Sequence, residues 1–109
     1  SDRKDEYVNR LHKAMDQGKD AYMLDRLLIA SIVEARGAER FRLIANALPK
    51  GKLKQFYQAI SDSESRHYQL FLKLAAHYFD EERISPRLTS LLDIEAAIIR
   101  SLPLAPALH

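Results

Sequence analysis

The sequence SESRHY at residues 63–68 contains a carboxylate and an imidazole three positions apart, Glu64 and His67. On a helix these two side chains lie on one face, about one turn from each other. Apolar residues recur at helical spacing on the same face (Leu53, Phe56, Ile60, Phe71, Leu74 and Ala75). Burying a carboxylate and an imidazole in an apolar stripe is costly unless a partner compensates them, and a metal ion is one such partner.

The remaining sequence predicts an all-α fold. Apolar residues at helical spacing predict three helices, over residues 5–17, 22–48 and 52–79. A fourth helix is expected to have Ser85 as its N-cap and Pro86 in its first turn, because the acidic run 80–82 is taken to end the third helix. Short connections make successive helices antiparallel neighbours, so residues 1–109 are expected to form a single helical domain.

Composition excludes several classes of protein. The absence of Cys removes disulfide, zinc-finger, iron–sulfur and cysteine-nucleophile chemistry together. No apolar run approaches the ~18 residues of a membrane span, and the polar N-terminus does not resemble a secretory signal. We therefore expect no membrane contact and a cytoplasmic location. The net charge of +2 permits a polyanionic partner without requiring one.

A second carboxylate, Glu34, is predicted to lie level with Glu64 across the hairpin of the two long helices. If the chain turns near Pro49, each glutamate is 15 residues from the turn, roughly 22 Å along its helix. One Glu that faces a Glu-x-x-His is half of the ligand set of ferritin-like carboxylate di-iron proteins, and such ligands suit iron or manganese. The alternative is a hydrogen-bonded polar cluster in the core, without metal.

Other polar residues of these helices have less specific patterns. Glu39 is interpreted as a charge on the solvent side, and Glu95 as one member of an ion pair between helices. Arg36, Arg40 and Arg66 are interpreted as a solvated face, and secondarily as a patch that contacts nucleic-acid phosphates.

Three stretches of the chain resemble the MiaE family of bacterial tRNA hydroxylases, which act on the 2-methylthio-isopentenyl adenosine next to the anticodon. Residues 32–41, IVEARGAERF, resemble the helix IEARSCERF of that family, and residues 63–68 resemble its SEARHY. Residues 25–28, DRLL, fit its LVDxLL. The resemblance covers most of the second and third predicted helices. The chain departs from the family in having Gly37 and Ala38 where the family has Ser-Cys.

The resemblance implies a ferritin-like antiparallel helix bundle built from two halves, of which this chain resembles the C-terminal half. It implies a di-iron centre as cofactor and O₂ as co-substrate. Glu64 and His67 are the implied iron ligands and Glu34 the third, with Glu39 as its rival. tRNA is the implied partner, with Arg36, Arg40 and Arg66 as candidates for contact with it, and the electron donor stays unspecified.

Three ligand residues are too few for two iron ions. Either the chain lacks an N-terminal half, or two copies pair about a two-fold axis and together supply four Glu and two His. The expected function is an O₂-dependent hydroxylase of a hypermodified tRNA adenosine, or the C-terminal part of one. The alternatives are a ferritin-like metal-binding protein without tRNA activity and a metal-free helical interaction module.

Overall fold

The computed structural model describes residues 2–13 and 18–103, which form four α-helices. The helices are α1 (Asp2–Lys13), α2 (Lys19–Ala47), α3 (Lys52–Tyr78) and α4 (Glu81–Ser101). The prediction of an all-α fold is confirmed for this part of the chain. None of the four described helices is long and apolar enough to span a membrane. Residues 14–17, the end of the first predicted helix, lie outside the described residues.

The two long helices, α2 and α3, form an antiparallel hairpin. The backbone N–H of Leu48 donates to the carbonyl of Ala45 at 3.2 Å, and α2 ends there, just before Pro49. Gly51 then turns the chain with a φ of 155°, a conformation that residues with a Cβ rarely adopt. The Nζ of Lys54 donates to the carbonyls of Ala45 and Leu48 at 2.8 and 3.3 Å, which satisfies two acceptors at the end of α2.

The start of α4 differs from the expectation, and Ser85 as its N-cap is wrong. Asp80 occupies the N-cap position and the helix begins at Glu81. The acidic residues Glu81 and Glu82 therefore lie in the first turn, where a negative charge interacts favourably with the helix dipole. Pro86 lies inside the helix, in its second turn, and its missing N–H removes one intrahelical hydrogen bond.

The hydrophobic core lies where α1 and α4 pack against the N-terminal half of α2. Its buried members are Leu11 of α1, Leu24, Leu28, Ile29 and Ile32 of α2, Ala75 of α3, and Ile84, Leu91 and Ile98 of α4. Only the C-terminal end of α3 reaches this core. The rest of α3 packs mainly against α2 and makes few contacts with α4.

The expectation that the apolar stripe of α3 is buried is confirmed for Ala75 and is wrong for Leu53, Phe56 and Leu74, which are exposed. Ser61 and Ala75 are the buried residues of this helix. Leu53 and Phe56 are each 56% exposed, and Leu70, which extends the stripe on the same face of α3, is 52% exposed. The reason is that α1 and α4 pack against the N-terminal half of α2. Among the described helices, α1 comes close to this face of α3 only near Phe71, and the part that carries Leu53 and Phe56 stays uncovered.

Candidate metal centre

The structure brings Glu34 of α2 together with Glu64 and His67 of α3. Each side chain offers one ligand atom, and the three atoms lie within 4.8 Å of one another. The two glutamates are partly buried and His67 is exposed. The expected alignment of Glu34 with the Glu-x-x-His across the hairpin is therefore confirmed, whereas the role of these side chains as metal ligands stays a prediction.

Two buried serine hydroxyls fix the register of the hairpin on either side of this cluster. The Oγ of Ser31 donates to the carbonyl of Tyr68 at 3.2 Å, and the Oγ of Ser61 donates to the carbonyl of Ala38 at 2.8 Å. Each bond joins α2 to α3 within about one helical turn of the cluster. Sliding one helix past the other would leave buried hydroxyls without partners, which is costly. The serines thus help to hold the three candidate ligands at one level.

Gly37 makes space for the carboxylate of Glu64. This glycine is buried in α2, and a Cβ placed on it would lie 3.1 Å from the Oε2 of Glu64. That separation is tighter than ordinary van der Waals contact, so a Cβ here would require the carboxylate to shift by a few tenths of an ångström. Because glycine has no Cβ, the carboxylate can lie directly against the backbone of α2.

The donor set fits a cation that prefers oxygen ligands. Two carboxylates and one imidazole are a combination suited to iron or manganese. Among the described residues this is the one group of three or more such side chains close enough to share an ion. Three ligands can hold one ion with coordination positions left open, but a second ion of a di-iron centre needs ligands from elsewhere.

The other predicted site residues do not join this cluster. The carboxylate of Glu39 is half exposed and accepts a hydrogen bond from the Nη1 of Arg36 at 2.8 Å, as expected for a charge on the solvent side. Arg36 is only partly exposed, because its Nε donates to Glu95 at 2.8 Å. Arg40 and Arg66 are exposed. Contact of these arginines with tRNA stays a prediction.

A polar network joins α1, α2 and α4. The sequence predicts that Glu95 takes part in an ion pair, but not which residues are its partners. Glu95 is 2% exposed and accepts hydrogen bonds from the hydroxyl of Tyr7 at 2.5 Å and from Arg36. The expectation that Glu95 forms an ion pair between helices is confirmed. Burial, and then the hydrogen bond to Glu95, raise the pKa of Tyr7, so its hydroxyl stays protonated and donates. The hydrogen bond to Glu95 also raises the pKa of Arg36.

A second ion pair, between α2 and α4, was not predicted. Asp25 is 1% exposed, and its two carboxylate oxygens accept hydrogen bonds from the Nε and Nη2 of Arg87, each at 2.7 Å. The signal in the sequence is the position of Asp25, which lies between Leu24 and Leu28 on the apolar side of its helix. A carboxylate at a core position needs a cationic partner, but the helical pattern does not say which one.

The helical fold and the cluster define the class of this protein, a helical bundle with a candidate carboxylate–histidine metal centre. The chain belongs to the MiaE family, because the family model "tRNA-(MS[2]IO[6]A)-hydroxylase (MiaE)" matches residues 3–109. The recognition made from residues 32–41 and 63–68 is thereby confirmed.

Two relatives are similar over most of the chain. It is 33% identical over 95 residues to the tRNA 2-(methylsulfanyl)-N(6)-isopentenyladenosine(37) hydroxylase of Pseudomonas putida, a match that covers 87% of this chain and 46% of the relative. It is 35% identical over 95 residues to the hydroxylase of the same name from Salmonella typhimurium, covering 87% of this chain and 34% of the relative. The chain thus spans less than half the length of either relative. No solved structure matches it.

Proposed function

We propose that this chain forms half of a di-iron hydroxylase that acts on an isopentenylated adenosine of tRNA. The observation that carries the proposal is the cluster of Glu34, Glu64 and His67 in a chain of the MiaE family. The names of the relatives supply the substrate class. The cluster supplies the reaction class, because carboxylate-rich iron centres on helical hairpins are suited to O₂ chemistry.

Iron bound at this centre would supply the activation of O₂. In the overall reaction, one oxygen atom would enter a C–H bond of the substrate, and the other would leave as water after taking up two electrons and two protons. The electrons must come from an external reductant. The chain itself would hold the metal with Glu34, Glu64 and His67. The serine hydrogen bonds between α2 and α3 would keep these ligands level, and Gly37 would leave the Glu64 carboxylate its place against α2.

We infer that a second copy of the chain completes the centre. Two copies related by a two-fold axis would supply four Glu and two His, which is the ligand set of a di-iron bundle. The exposed apolar stripe of α3 supports this, because Phe56 and Leu70 lie on the same helical face as His67. A helical face of this kind is normally covered by another helix. The competing occupant is the N-terminal half of a longer chain.

The first test measures iron per chain together with the mass of the assembly, on protein purified under iron-replete conditions. We expect about one iron per chain in a dimer, and loss of that iron in Glu64→Gln but not in Asp62→Asn, a matched change at an exposed carboxylate of the same helix. Iron bound by a monomer would contradict completion by a second copy. A dimer without iron would contradict the metal centre.

A second test examines the interface. We expect Leu70→Glu to abolish the dimer, because it places a charge on the exposed stripe of α3. Leu43→Glu is the matched control, since Leu43 is 67% exposed on α2 and lies outside that stripe. If Leu70→Glu leaves the mass of the assembly unchanged, the stripe is not the interface.

A third test concerns tRNA. A tRNA substrate would imply a cytoplasmic location. We expect the iron-loaded protein, given O₂ and a chemical reductant, to add one oxygen atom to the isopentenyl group of tRNA. Arg66→Gln should weaken binding of tRNA and lower its dependence on salt, because each phosphate contact releases counterions. Iron binding without any affinity for tRNA would instead favour a metal-binding protein without tRNA activity.

A further inference from the structure

A groove of about 280 Å³ lies next to the metal cluster, between α1, α2 and α3. Its apolar walls are formed by Ile29, Ala30 and Val33 of α2, Phe71 of α3 and Val8 of α1. Glu34 also lines the groove, so the groove and the cluster share a side chain. A ligand in this groove would therefore lie against one of the candidate metal ligands.

The groove extends from the cluster in one direction along the hairpin. Ala30 lies four residues before Glu34 in α2, and Phe71 lies four residues after His67 in α3. Because the two helices are antiparallel, both positions lie on the same side of the cluster, about one turn or 5–6 Å away. On α2 the apolar wall includes Val33, the residue before Glu34, and on both helices the wall continues to a position one turn from the metal ligands.

We propose that this groove binds the isopentenyl group of the substrate adenosine and holds it beside the metal centre. The inference rests on the proposed function and names the part of the site that recognises the substrate. An isopentenyl group is a branched five-carbon chain without polar atoms, and such groups bind in apolar clefts that exclude water. Hydroxylation of its C–H bond requires that carbon to be held close to the reacting centre, which the shared Glu34 allows.

Two basic side chains at the groove give the polar part of the substrate a partner. His12 and Arg26 line it and are exposed. The Nη1 of Arg26 donates to the hydroxyl of Tyr22 at 3.1 Å, and its guanidinium lies 5.8 Å from the centre of that ring, so Arg26 is held at the groove. Cationic donors beside an apolar cleft match a nucleotide whose base carries an apolar group and whose backbone carries phosphate.

The test compares the binding of two anticodon stem-loop RNAs to the assembled protein loaded with Mn²⁺. One RNA carries isopentenyladenosine and the other carries adenosine at the same position. We expect tenfold or more tighter binding of the isopentenylated RNA, because each buried CH₂ contributes about fourfold to affinity. We expect Ala30→Leu, which fills the groove, to bind both RNAs equally and to keep its affinity for Mn²⁺. Ala59→Leu, on an exposed face of α3, is the matched control and should retain the preference.

A second variant keeps the test decisive if Ala30→Leu disturbs packing. Val33→Thr keeps the shape of the wall but adds a hydroxyl, so it should weaken the preference for the isopentenylated RNA severalfold. Equal binding of the two RNAs by the unsubstituted protein, no binding of either, or a preference that survives both groove variants would overturn the proposal. Failure of the unsubstituted protein to bind Mn²⁺ would instead refute the proposed metal centre, so the two failures are distinguishable.

Discussion

Replacing Arg87 by methionine tests the polar pairing that holds α4 to α2. Arg87 donates from Nε and Nη2 to the two carboxylate oxygens of Asp25, each at 2.7 Å, and Asp25 is 1% exposed. Methionine retains much of the apolar stem of arginine but has no donor. The substitution therefore leaves a deeply buried carboxylate without its guanidinium partner while the surrounding packing changes little.

The magnitude follows from the burial of the two partners. Removing one partner of a fully buried ion pair costs about 3–5 kcal/mol. The Arg87 side chain is 27% exposed, so water can partly solvate the carboxylate that remains, and we expect a loss of about 2–3 kcal/mol of unfolding free energy. The double variant Asp25→Asn/Arg87→Met removes both charges and should be less destabilised than the sum of its two single variants, with a coupling of about 1.5–3 kcal/mol.

The assay is urea unfolding followed by far-ultraviolet circular dichroism at one protein concentration, because association would otherwise shift the apparent stability. Arg100→Met is the control, since Arg100 is an exposed arginine of the same helix, and we expect a change of no more than about 0.5 kcal/mol for it. A cost for Arg87→Met no larger than that of the control would refute the reasoning. So would additivity in the double-mutant cycle.

Three further predictions concern pH, backbone space and metal. The raised folded-state pKa of Tyr7 contributes stability that is present below the unfolded-state pKa near 10 and is lost as pH rises above it. Urea unfolding between about pH 8 and 11 should show the free energy of unfolding falling by up to ~1.4 kcal/mol per pH unit. The slope should be shallower in Tyr7→Phe. Without metal, Gly37→Ala should gain up to about 1 kcal/mol of helix propensity. It should weaken Mn²⁺ binding measured by calorimetry, because its Cβ requires the Glu64 carboxylate to shift from its place against α2. Gly37→Ser should weaken Mn²⁺ binding less, since its hydroxyl can donate to that carboxylate, and unchanged Mn²⁺ affinity in both variants would contradict this role of Gly37. Mn²⁺ at 100 times its dissociation constant should raise the free energy of unfolding by about 2.7 kcal/mol, and EDTA should remove this effect. An equal rise in His67→Ala would show that the ion binds elsewhere.

The hairpin and its cluster could be predicted because they depend on local geometry. The rise per residue of a helix is fixed, so equal distances from Pro49 placed Glu34 and Glu64 at one level before any tertiary contact was known. The start of α4 was mispredicted because two signals compete there. Ser85 before Pro86 is a common helix start, but Asp80 followed by two glutamates is also one, and the earlier signal wins in the structure.

The partners of the buried carboxylates could not be predicted, because they are far away in the chain. Glu95 and Arg36 are separated by 59 positions, and Asp25 and Arg87 by 62. An apolar stripe shows that a carboxylate on it needs a cation, but the choice among 17 Lys and Arg residues is made by the packing of α4 on α2. The exposure of the α3 stripe was missed for a related reason: helical periodicity reports which face is apolar, not whether another helix covers it.

The position of the cluster beside the exposed stripe of α3 connects the metal to assembly. In the part of the chain that the structure describes, no buried side-chain nitrogen or oxygen lacks a hydrogen-bond partner, and the ion pairs of Glu95 and Asp25 join the helices around the core. The cluster of Glu34, Glu64 and His67 lies beside the exposed stripe of α3, and its three ligands are too few for two ions. If a second copy completes that set, binding of metal and association of the two copies share one free energy of coupling. Mn²⁺ must then tighten the dimer by the same factor by which dimerisation tightens Mn²⁺. A dimer dissociation constant that does not respond to Mn²⁺ would separate the stripe from the metal centre.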